Sequence, residues 1–207
     1  MGDSSADQPR PHHRPATPGD GFFETRTGGA DPWRLSEAAE RAATLLVRGA
    51  HDADDAEIAE RVVHLADAEG LETLAELWAG APVDSLAGCL WRLYVLRAWV
   101  YADPAGAARQ FDAGRIRAPV ARVVAGVAEP PGPEELRAMV DQVLRGIAEG
   151  DFADVLFRAA AFARVVATGR ASLPDDADGV GHDAGRMLIL AEQLERAGHQ
   201  ELSHGLA

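Results

Sequence analysis

Lysine and asparagine are missing altogether from the 207 residues, so the 20 basic side chains are all arginine. With no side-chain amine, the chain cannot form a Schiff base, use a lysine general base or supply the phosphate-binding lysine of a P-loop. Pyridoxal enzymes and Walker-type NTPases are therefore excluded. Cysteine occurs once, at Cys89, so an intramolecular disulfide is impossible, and the neighbours Leu90 and Trp91 point to a packed rather than a reactive thiol. No apolar run approaches the ~18 charge-free residues of a membrane span, and the N-terminal stretch has no apolar core of a signal peptide. A soluble, cytoplasmic protein is expected. Basic charge is also scarce: 33 acidic against 20 basic residues leave a formal charge of −13, which opposes docking on polyanionic phosphate. Neither nucleic acid nor membrane is an expected partner.

What is present is a large supply of core residues. Hydrophobic side chains make up 47% of the chain, enough for one substantial domain at this length. They are unevenly placed. Residues 1–30 are rich in Pro, Gly, Ser and Asp, with an apolar pair only at Phe22 and Phe23, and are expected to be a disordered tail. Residues 31–207 carry helical punctuation. Asp31-Pro32 and Asp103-Pro104 set a capping carboxylate before a proline at the first helical position, and Gly132-Pro133-Glu134-Glu135 puts acids in a first turn. No period-2 strand pattern is evident, and β-branched residues come mostly in isolated pairs such as Val62-Val63 and Val165-Val166. Helices are expected over 32–48, 54–69, 71–79, 85–101, 104–113, 119–127, 133–149, 152–168 and 183–204. The fold class that follows is all-α, a single multi-helix bundle of antiparallel helical hairpins.

The stretch "GCLWRLYVLRAWVYADP", residues 88–104, is the most hydrophobic and aromatic of the chain and still holds Arg92 and Arg97. At ~100° per residue these two lie ~140° apart. Leu86, Cys89, Leu93, Leu96 and Val100 fill the shorter arc between them, and Trp91, Tyr94, Val95, Trp99 and Tyr101 fall in the longer one. This predicts a central helix with an aliphatic and an aromatic face and an arginine at each seam. Each guanidinium is expected to lay its stem along the surface, with at least one bonding a carboxylate or a helix C-terminal carbonyl. The sharper alternative is a pocket for an anionic or planar ligand between helices 85–101 and 152–168, lined by Trp91, Arg92, Tyr94, Arg97, Trp99 and Arg158. Helix 152–168 offers small residues at 159–161 and 163, across which helix 85–101 is expected to approach closely.

Nine acids between 52 and 76 face a single base, Arg61, whereas arginine dominates from 86 to 122. That segregation could be satisfied internally, or it could present an acidic face to a basic protein partner. Within it, Glu60, His64 and Asp67 at i, i+4 and i+7 could share a divalent metal, although the second Glu-x-x-His of a four-helix carboxylate site is missing. No cofactor and no catalytic residue is expected. The segments "HRPATPGDGFFETRTGGADP" and "PPGPEELRAMVDQVLRGIAEGDFADVLFRAAAFARVVATGR" resemble a family of small Ala/Arg-rich helical proteins of actinobacteria, and the resemblance carries over no catalytic motif. The expected function is that of a non-enzymatic helical interaction or regulatory protein, the alternative a small-molecule binder or enzyme built on the aromatic and arginine pocket.

Overall fold

In the computed structural model the described residues are 32–49, 70–117, 130–144, 151–173 and 183–206. They form seven α-helices and no strand: α1 Pro32–Arg48, α2 Leu71–Trp78, α3 Leu86–Ala102, α4 Pro104–Arg117, α5 Pro133–Leu144, α6 Phe152–Ser172 and α7 Asp183–His204. The expected tail over 1–30 and the helices expected over 54–69 and 119–127 lie outside the described residues. No described helix is long and apolar enough to cross a membrane.

Helix starts follow the capping logic of the sequence. Asp103 accepts the Gly106 N–H at 2.8 Å, immediately before Pro104. Asp151 accepts the Ala153 N–H at 2.9 Å, and Glu135 reaches back to the Gly132 N–H at 3.1 Å. The start of α3 uses a partner the local sequence does not contain. Ser85 Oγ takes the Gly88 N–H, while Glu40 of α1 accepts from Leu86 and Ala87 at 3.0 and 3.3 Å. All four orphan donors of this helix are thus satisfied, one by its own cap, two by a neighbouring helix and that of Ser85 by the Pro82 carbonyl at 3.4 Å.

Two helices run past their expected ends, and the same cause operates in both. Ala113-Gly114 and Thr168-Gly169 read as stops, yet α4 continues to Arg117 and α6 to Ser172. The glycines are contact points rather than terminators: a Cβ on Gly114 would stand 1.8 Å from the Val165 carbonyl oxygen, and one on Gly169 would stand 1.8 Å from that of Gln110. The two backbones touch where they cross. Residue order at the contacts, 110 with 169 and 114 with 165, makes α4 and α6 antiparallel. The pair α6 and α7 is antiparallel as well, with Phe157 beside His199 and Arg164 bonded to Glu195.

The core is one continuous cluster, and α6 runs through its middle, buried on nearly all sides. Its closest neighbours are α7 and α4, not α3, which correct the expected partnership of helices 85–101 and 152–168. The helix α3 reaches α6 chiefly through Trp99, whose ring centroid is 6.4 Å from that of Phe162, and packs more broadly on α1, α2 and α5. Small residues on α6 invite a close approach, but the glycine-bearing helix makes a closer one than the aromatic helix can.

Candidate functional site

On α3 the aliphatic arc is fully buried: Leu86, Cys89, Leu93, Leu96 and Val100 are at most 1% exposed. The aromatic arc is only partly covered, with Trp91, Tyr94 and Trp99 half-buried, Val95 39% exposed and Tyr101 also open. The expected two-sided burial is therefore corrected to one buried face and one that lies at the surface. Between the two arcs the arginines leave in different directions, as the wheel implied. Arg97 donates through Nε to Asp141 of α5, and Tyr101 Oη donates to the other oxygen of that carboxylate at 3.1 Å. Two guanidinia, of Arg97 and Arg137, lie over the Tyr101 ring with Cζ 4.3 and 4.4 Å from its centroid, which fastens α5 to α3. Arg92 turns the other way, donating to Gln193 of α7 at 2.8 Å and to the Gly88 carbonyl at 2.7 Å.

The six side chains expected to line one pocket are consequently dispersed. Trp91 and Tyr94 stack on each other with centroids 5.8 Å apart. Burial raises the Tyr94 pKa, and the charges of Glu72 and Glu76 on α2 raise it further against Arg97. Arg158 pairs with Asp154 on its own helix at 3.9 Å. Trp99 lines a cavity. The metal triplet Glu60, His64 and Asp67 lies outside the described residues.

That cavity is a groove of about 270 Å³ between α3, α6 and α7. Val95, Leu96 and Trp99 form one wall and Met187 and Leu190 the other, so its surface is largely apolar. Arg170 and Arg186 are the charged residues of its lining. Arg170 is 8% exposed and is the one charged residue buried among the described residues. Its Nε–H is donated to Gln110 Oε1 at 2.5 Å and its Cζ sits 4.7 Å over the Trp99 ring, so the guanidinium plane is held by two helices. Arg186 stands exposed at the lip. The pattern 152, 156, 159, 163, 166 places residue 170 on the buried stripe of α6, a signal that ending the helix at 168 conceals. Nothing in the sequence marks Arg186, Met187 or Leu190, because the groove exists only where α7 crosses α3.

The lone thiol is held inert. Burial pushes the Cys89 pKa up to about 12, against the nearby positive charge of Arg92, so the nucleophilic thiolate is absent near neutral pH. Comparison of the chain with family models, with curated proteins and with solved structures finds no match.

Proposed function

We propose that this chain is a non-enzymatic helical interaction or regulatory protein that works through the seam of α3 and α7. The observation that carries the reading is the exposed apolar side chains on the two helices that meet at this seam. Val95 and Ile189 are 39% and 56% exposed, and on the α7 wheel Ile189 lies ~40° from Gln193, which is bonded to α3. Such side chains in contiguous array mark recognition surfaces. Around them the charged groups serve as fasteners between helices: Arg97 with Asp141, Arg164 with Glu195 and Arg48 with Glu201. The formal charge of −13 favours a basic protein partner over nucleic acid or an anionic membrane. The test is capture of partners by the tagged full chain in its native lysate at near-physiological salt, beside Ile189→Glu. A specific partner held by the wild type and lost by the variant is expected; no partner for the wild type, or equal capture by both, overturns the reading.

A second reading, a small-molecule binder, draws on the groove itself: an apolar cleft with a positioned guanidinium has the composition of a ligand site. A thermal-shift screen of metabolites tests it, since a ligand at ~100 times its Kd stabilises by about 2.7 kcal/mol. A flat screen removes it.

A further inference from the structure

We infer that the partner is a basic protein that docks an arginine on the exposed face of α3, its guanidinium on the ledge formed by Trp91 and Tyr94 and its charge toward Glu72 and Glu76 of α2. The inference rests on the interaction reading above and adds which charge the partner brings and where it is received. The ledge adjoins the seam, because Trp91 stands one turn before Val95 on α3 and ~40° from it around the helix. Its two rings stack with centroids 5.8 Å apart and are both half-buried, so aromatic surface stays at the solvent. A guanidinium is drawn to the face of such a ring by the ring quadrupole, as two of this protein's own are to Tyr101. The carboxylates fix the sign of the ligand. Glu72 and Glu76 stand one turn apart on α2, both exposed, and neither has an ion-pair partner among the described residues. Their charges reach the ledge: after burial, they are what raises the Tyr94 pKa, against the opposing charge of Arg97. The arginines of α3 itself are committed elsewhere, Arg97 to Asp141 and Arg92 to Gln193 and the Gly88 carbonyl. An acidic segment meets like charge here, and a neutral one gains only the rings.

The probes are three amidated peptides of about 15 residues that share a leucine stripe at helical spacing. They differ only in the residue beside the stripe: arginine, lysine, or citrulline, which keeps the shape of arginine without its charge. In calorimetric titration of the full chain, the arginine peptide is expected to bind one to one, the lysine peptide about threefold more weakly and the citrulline peptide about tenfold more weakly. Glu72→Gln with Glu76→Gln, two exposed changes, is expected to weaken the arginine peptide about tenfold and leave the citrulline peptide unaltered. The same loss of charge at exposed positions of α1 and α4, Glu37→Gln with Asp112→Asn, is expected to change the affinity of the arginine peptide by less than about twofold. Trp91→Leu keeps an apolar side chain and is expected to erase the preference for arginine over lysine. Citrulline binding as tightly as arginine, an arginine peptide indifferent to the Glu72 and Glu76 changes, or one weakened equally by the Glu37 and Asp112 changes, overturns the assignment of the cation to this ledge. A preference for arginine that survives Trp91→Leu overturns the placing of the guanidinium on the ring. No binding of any of the three overturns the inference as a whole, whereas the interaction reading is decided separately by the capture test with Ile189→Glu.

Discussion

At the scale of single residues, burial decides what the aromatic side chains are worth. Trp78 of α2 is 1% exposed and donates its indole N–H to the Ala39 carbonyl at 3.1 Å. Trp78→Ala would leave a large cavity and is expected to cost about 3 to 5 kcal/mol. Trp91 is half-buried, so Trp91→Ala is expected to cost distinctly less, a reversal of the weight that its place in an aromatic run suggests. Arg97→Met removes a partly screened ion pair but keeps the stem, with an expected loss of about 1 to 2 kcal/mol. Denaturant unfolding of the three variants gives the order directly, and a larger loss for Arg97→Met than for Trp78→Ala would mean that the Asp141 network carries the α3–α5 junction. Cys89 supplies a pH test. Its pKa in the fold is raised to about 12 from an ordinary 9.0, so the thiol's contribution is intact below pH 9 and is lost as pH rises toward 12. Stability of Cys89→Ala should fall less over that interval than that of the wild type. In the native protein at neutral pH the thiol should react with a disulfide reagent only as fast as the chain opens.

At the scale of helices, glycine has opposite meanings at two positions that propensity treats alike. In an exposed helix interior, Gly→Ala stabilises by about 1 kcal/mol. Gly185 of α7 is exposed, and a Cβ there meets no described atom within 4 Å, so Gly185→Ala should raise stability by up to roughly that amount. Gly169→Ala must push a methyl group into the Gln110 carbonyl of α4 and is expected to destabilise by about 1 to 3 kcal/mol, as Gly114→Ala should from the other side of the crossing. Thermal unfolding of the single variants checks the signs. A stabilising Gly169→Ala would show that α4 and α6 can separate at no cost. This contact also explains why α4 and α6 outrun the ends that their local sequences predict, since a glycine that admits another helix and a glycine that ends its own look identical in one dimension.

At the scale of the molecule, the two ends of the described fold are tied by one half-buried carboxylate. Arg48 of α1 grips Glu201 of α7 through two bonds of 2.6 and 2.9 Å, and Glu201 also accepts the Leu206 N–H at 2.8 Å. Burial raises the Glu201 pKa, but the hydrogen bonds from Arg48 and Leu206 and the Arg48 charge outweigh it, and the net shift is downward from 4.5. A depressed folded pKa stabilises the protein above the unfolded value and withdraws that stabilisation as pH falls through the folded one. The melting temperature should therefore drop on acidification below about pH 4.5, and Glu201→Gln should flatten that part of the profile while lowering stability at neutral pH. An unchanged acid limb in the variant would place the acid sensitivity in other carboxylates.

The sequence alone determined the class of fold and most helix starts, because these depend on local chemistry: periodicity of 3.6, a carboxylate before a proline, acids in a first turn. It also determined that Arg92 and Arg97 leave α3 on different sides, since the angle between them is a property of the helix itself. The identity of each helix's neighbours was decided only in the tertiary structure. Whether α4 or α3 lies closest to α6 turns on where two glycines, 55 residues apart in the chain, happen to meet. The groove has the same origin. Trp99 was visible as a candidate, but Arg170 and the wall of Met187 and Leu190 join it only because three helices cross there, and a crossing is a relation between segments that no single segment encodes.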